Sequence, residues 1–240
     1  MLRLLKMTFL AALLVTAVAW WRKGSLDDPA EIVPDLLQQP VQVRTDAPEF
    51  SFPYKGRVCL VRPVTTYELW GLVVSHNNIE SIADLYHDST SVDTKDLCVI
   101  WGRNLESDDY QRVSFSSGSF TCYYRYPAGV RFSGRAGSNN HLITDLDRVR
   151  EQIAEVRVGD QIHLQGMLVN YQMDDWRGFW RQSSLVRTDD GCEVVYVEKL
   201  EVLRRGTPGW YMAFRAGWMT LLAAPVLYVV TLHLTVRRRG

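Results

Sequence analysis

Ser138-Asn139-Asn140-His141 is the grouping best suited to moving a proton in this chain. It follows a loop with Gly134 and Gly137 and precedes a helical pattern. An exposed His beside two amides can polarise a substrate or act as a general base. The same residues also suit a turn, since Asn accepts left-handed backbone and bonds locally. Cys192 could act as a nucleophile with His141 as its base if the fold brought them together, or it could be a disulfide partner or buried thiol. No GxSxG, P-loop, GxGxxG, HExxH or EF-hand loop occurs, so no motif assigns a reaction.

The remaining reactive side chains have structural readings too. Cys59, Cys98, Cys122 and Cys192 form no CxxC, and no His is spaced to complete a zinc site. Four cysteines in an oxidising compartment allow two disulfides in three connectivities. The apolar surroundings of Cys98 and Cys122 equally suit buried strand thiols. Asp108-Asp109 and Asp174-Asp175 are adjacent acids in loops. A hard cation needs several converging oxygens, so these pairs read as solvated. No metal or cofactor is expected. The most interaction-like patch is Trp176, Arg177, Phe179, Trp180, Arg181 and Arg187. Arg and aromatic residues in one loop suit a membrane or periplasmic protein partner, a glycan or lipid headgroups. The alternative is a loop that folds its own aromatics onto the domain. The formal net charge of zero disfavours nucleic acid.

These groups sit in a chain of strands bracketed by two apolar runs. Ala216 to Val236 has no charged residue and ends at Arg237-Arg238-Arg239. At ~1.5 Å per residue it can cross a hydrocarbon core ~30 Å thick. Met7 to Trp21 is shorter, flanked by Arg3 and Lys6 before and Arg22-Lys23 after. It reads as a transmembrane helix with an aromatic and basic anchor, or as a signal peptide cut at Ala17-Val18-Ala19. Basic residues outside both runs place both termini in the cytoplasm and the middle outside. The absence of an N-x-S/T sequon suits a bacterial inner membrane protein with a periplasmic domain. The expected organisation is a span or signal over residues 1–23, a linker over 24–49, an exported domain over 50–209 and a span with basic tail over 210–240.

Within the domain, strands are expected at Phe50–Phe52, Arg57–Arg62, Tyr67–Ser75 and Asp96–Trp101. A hairpin is expected over Gln111–Phe115 and Ser119–Tyr126, with Gly129 to Asn140 as a loop. Short helices are expected at Ile79–His87 and Asp145–Val156. The clearest stretch is "VGDQIHLQGMLV" from Val158, where a Gly-Asp turn enters a strand with a central glycine.

That stretch, with the late "EVVYVEKLEVL" from Glu193, resembles strands of small OB-type β-barrels. "CYYRY" at Cys122–Tyr126 resembles a strand of the β-domain held between two membrane helices in mitochondrial ubiquitin ligases and their bacterial relatives. The RING cysteine and histidine pattern is missing, so the resemblance implies no ligase activity. The expected fold is mainly β (α+β): an OB-like small barrel with two short helices, flanked by transmembrane helices. The expected function is membrane-anchored binding or assembly, presenting the domain to a partner. The alternative is a hydrolase using His141.

Overall fold

The computed structural model describes residues 1–77, 91–118, 121–186 and 192–237. It divides into two compact units: Met1–Ser25 with Thr207–Gly240, and Leu26–Gly206.

The first unit is a pair of helices, α1 (Leu2–Arg22) and α3 (Pro208–Arg237), each long and apolar enough to cross a membrane. Lys6 lies over Tyr228 near one end and Trp20 packs on Phe214 near the other, so the helices run antiparallel. Their buried positions are small: Ala12 and Ala19 on α1, Gly217 and Ala224 on α3. A side chain at Gly217 would collide with Thr16, so the glycine sets how closely the helices approach. Ala19, at the end of the expected A-x-A cleavage site, is fully buried in this seam.

The second unit is mostly β, with nine strands among the described residues: β1 (Val41–Arg44), β2 (Phe50–Tyr54), β3 (Arg57–Asn77), β4 (Lys95–Ile100), β5 (Ser114–Ser117), β6 (Cys122–Arg125), β7 (Gly137–Ile143), β8 (Gln161–Met173) and β9 (Cys192–Arg204). One helix, α2 (Asp147–Glu155), lies between β7 and β8. Pairing runs from β3 to β4, β7, β9 and β8, and β8 returns to β3. Every link in this circuit is antiparallel except β7–β9, which is parallel. β1 and β2 add to β3, while β5 and β6 form a separate hairpin.

Alternation explains why these sequences are strands. Leu69, Val73, Leu97, Val99, Leu142, Leu164, Val195 and Val197 join one buried cluster, into which Val149, Ile153 and Val156 of α2 and its flank pack. Their sequence neighbours Asp96, Cys98, Asn139 and His141 therefore point to the opposite face of β4 and β7. Gly166 is required in mid-strand, because a Cβ there would meet the Tyr196 carbonyl. Gly159, at φ 91°, makes the turn into β8.

Three segments differ from the sequence reading. Arg57–Arg62 and Tyr67–Ser75 are one continuous strand, β3, whose pairing with β8 shifts register between Pro63 and Thr65. A bulge there accommodates the proline, which has no N–H to give. The segment read as a linker is packed: Leu36 is fully buried beside Leu72, Ile100 and Tyr110, and Val41–Arg44 pairs with β3. Residues 137–140, read as the end of a loop, belong to β7. The helix expected at 79–87 lies outside the described residues, as do Ser119 and Phe120 of the hairpin.

Candidate active site

Register assembles the site. Asp96 stands opposite His141 on the antiparallel β4–β7 pair, and Cys98 stands opposite Asn139. Asn139 is in turn the parallel partner of Cys192 on β9. One cross-strand row thus reads Cys98, Asn139, Cys192, and the next row begins Asp96, His141.

The side chains complete this arrangement. His141 Nδ1 lies 2.6 Å from Asp96 Oδ1, and both side chains are fully buried. His141 Nε2 lies 3.5 Å from Asn139 Nδ2, and His141 also shares a side-chain hydrogen bond with Cys192. Asn139 Nδ2 lies 3.7 Å from Cys192 Sγ. Burial alone would lower the basicity of His141. The hydrogen bonds to Asp96 and Cys192, followed by the charges of Asp96 and Asp93, outweigh it and raise the pKa to about 9. At neutral pH the ring is then an imidazolium, with the Asp96 carboxylate as its buried counter-charge.

Cys192 is only partly buried and lines a narrow cleft of about 40 Å³. Asn139, Thr121, Phe115, Phe132 and Tyr124 line it too, together with Cys98 and Cys122. Those two cysteines form a disulfide, with Cα atoms 5.8 Å apart, that ties the β5–β6 hairpin to β4. Asn139 Oδ1 touches both of its sulfurs, at 3.9 Å from Cys98 and 3.6 Å from Cys122.

The grouping read from sequence as an exposed turn is a buried strand. Asn140 points the other way from its neighbours. It bonds the Leu97 carbonyl and the Ser138 hydroxyl, and its Oδ1 lies 3.4 Å from the Tyr67 hydroxyl. It therefore supports the core rather than the cleft. Turn propensity lost here because the backbone of β7 is paired on both sides, with β4 and with β9. Asp96 completes the set, and sequence reading missed it inside a nearly continuous apolar strand. The available signal was an acid at the head of a strand buried throughout, since buried carboxylates occur almost only with a partner.

The other candidates lie elsewhere. Cys59 is a free thiol in a separate apolar cluster with Phe52, Val61 and Met173. Trp176 packs on Tyr171 and Phe179, and Arg62 lies 4.4 Å over Trp180. Arg177, at φ 50°, forms the turn that leaves Phe179 66% exposed. Arg181 pairs its backbone with Tyr171. Arg187 lies outside the described residues. Asp175 pairs with Arg57, and Asp109 with Arg131. No group of metal-ligating side chains occurs among the described residues. No family model matches this chain, and neither a curated protein nor a solved structure does.

Proposed function

We propose that this is a membrane-anchored thiol hydrolase with Cys192 as nucleophile, His141 as acid and base, and Asp96 as the group that orients and charges His141. The observation that carries the reading is the continuous chain from Cys192 through His141 to Asp96, ending at a cleft. Such a constellation is recognised by geometry and role, and it recurs on unrelated folds. The Cys192 thiolate attacks an acyl carbon, and Asn139 Nδ2 donates to the developing oxyanion. His141 gives its proton to the leaving group, and a thioester forms at Cys192. His141 then takes a proton from water, which hydrolyses the thioester. The cleft admits the reacting group and keeps bulk water from His141.

The circuit β3–β4–β7–β9–β8 is, in this reading, an OB-type barrel. Five strands returning to the first with a single parallel pair support it. Counted along that circuit, Asp96, Asn139 and His141 stand on the second and third strands, the face by which OB domains bind their ligands, and Cys192 stands on the neighbouring fourth. The antiparallel α1–α3 pair and the burial of Ala19 support two retained spans with both termini on one side. The Cys98–Cys122 disulfide suits an oxidising space, and we place the domain in the periplasm of a bacterial inner membrane protein.

Hydrolysis of p-nitrophenyl esters by the full chain in detergent tests the activity. Cys192→Ser is expected to lower the rate by about 10³-fold or more. An unchanged rate would remove Cys192 from the reaction.

A second reading, assembly with a membrane or periplasmic partner, is favoured by the exposure of Phe179 on the Arg177 turn. Trp176→Ala and Arg177→Ala should then deplete proteins that co-purify in mild detergent. An unchanged set of partners would sink that reading.

A further inference from the structure

Three sulfurs meet around one amide. Asn139 touches Cys98 and Cys122 through Oδ1 and Cys192 through Nδ2. The Cys122 and Cys192 sulfurs therefore lie within about 10 Å of each other, the span of two contacts and one carboxamide. Both sulfurs line the same cleft. A thiol backed by His141 and Asp96 beside a disulfide is the arrangement that thiol–disulfide exchange needs.

We propose that Cys192 and the Cys98–Cys122 disulfide form a thiol–disulfide exchange site, a second activity of the same cleft. The Cys192 thiolate attacks Cys122 Sγ, the Cys122–Cys192 bond forms and the Cys98–Cys122 bond breaks. The electron pair of the broken bond leaves on Cys98. The proton that Cys192 had given to His141 ends on the Cys98 thiolate. One disulfide and one thiol enter and one of each leave, so no outside oxidant is consumed.

The sheet decides which sulfur is attacked. Cys98 and Cys192 flank Asn139 on opposite sides of β7, two strand spacings apart. That separation is about 9–10 Å between Cα atoms. A disulfide cannot span more than about 7 Å without backbone movement, and here the movement would tear β7 out of the sheet. Cys122 is on the β5–β6 hairpin, which is not hydrogen-bonded into the main sheet. Besides the disulfide, the Ser117 hydroxyl links this hairpin to Ser75 and to Cys98 Sγ, at 2.9 and 3.3 Å, and Phe115 packs against the cluster of Leu72, Val74 and Ile100. Cys122 can follow Cys192; Cys98 cannot. The exchanged form occupies the nucleophile and leaves Cys98 as a buried thiol, so the same step also switches Cys192 off.

This inference rests on the activated Cys192 of the proposed hydrolase, but not on acyl transfer. The full chain is held in detergent in a buffer of reduced and oxidised glutathione, quenched with acid, and its disulfides are mapped by mass spectrometry. The expected result is a Cys122–Cys192 peptide in the wild type that becomes the main internal disulfide in Cys98→Ser. The Cys122→Ser variant is expected to form no Cys98–Cys192 bridge. His141→Gln is expected to slow formation of the new bridge by about tenfold. The proposal is overturned if Cys122 and Cys192 stay unbridged in Cys98→Ser, or if Cys98–Cys192 forms instead. Ester hydrolysis by Cys122→Ser separates the two claims, because it keeps the nucleophile but has no disulfide to exchange. Hydrolysis by Cys122→Ser with no Cys122–Cys192 bridge in Cys98→Ser leaves the hydrolase and removes the exchange; that bridge in Cys98→Ser without hydrolysis by Cys122→Ser does the reverse.

Discussion

Two cysteines outside the disulfide show what surroundings do to a thiol. Cys59 opens the β3–β8 pairing and Cys192 the β7–β9 pairing, and neither is in a disulfide. Around Cys59 lie Phe52, Val61, Val169 and Met173, with Asp93 near enough to repel a negative charge. Burial, then Asp93, pushes that thiol up to about 12, with Arg57 opposing weakly. Around Cys192 lie an amide, an imidazole and, behind the imidazole, a carboxylate. The first setting makes cysteine a small hydrophobe; the second is the setting on which the proposed nucleophile rests. The difference comes from the polar residues that three neighbouring strands bring to one face, not from the cysteines themselves.

The comparison can be tested first through pH. The folded pKa of His141 is raised to about 9 from an ordinary value of 6.5. Its contribution to stability is therefore complete below pH 6.5, declines above it and is gone once pH passes 9. A shift of this size corresponds to about 3 kcal/mol. Urea unfolding of the full chain between pH 6 and pH 10 should reveal this decline, and His141→Gln should flatten it. A wild-type curve as flat as that of the variant would mean that Asp96 and Cys192 do not hold the charge.

The Cys59 side of the comparison carries a smaller effect. Cys59→Ala should cost about 1–2 kcal/mol, the loss of a buried sulfur from a packed cluster. Ester hydrolysis should be unchanged, since Cys59 is outside the cleft. A loss of hydrolysis equal to that of Cys192→Ser would erase the distinction between the two thiols.

The sequence made some of this legible, and physical reasons mark where it stopped. The terminal helices followed from length and missing charge, although α3 begins at Pro208, about two turns before the uncharged run. Gly159 and Gly166 were readable because a left-handed turn and a close backbone approach both demand glycine. β7 was not readable. Ser138-Asn139-Asn140-His141 carries turn chemistry, and only partners distant in the chain make it a strand. His141 was found but placed at the surface, and Cys192 was weighed beside it without a reason to bring them together. That reason is the parallel β7–β9 pairing, a contact across 53 residues with no local signature. Asp96 was hidden because its neighbours Leu97, Val99 and Ile100 set the character of the strand. His163 shows the opposite trap: it sits in the most legible strand, yet it only stacks on Trp70 and bonds Glu68.

The most direct test of the central claim is the rate at which Cys59 and Cys192 each react with iodoacetamide at pH 7, read peptide by peptide from the full chain in detergent. Cys192 is expected to react at least ~100-fold faster than Cys59, and His141→Gln should remove about tenfold of that advantage. Equal rates for the two thiols, or a Cys192 rate indifferent to His141→Gln, would contradict the account.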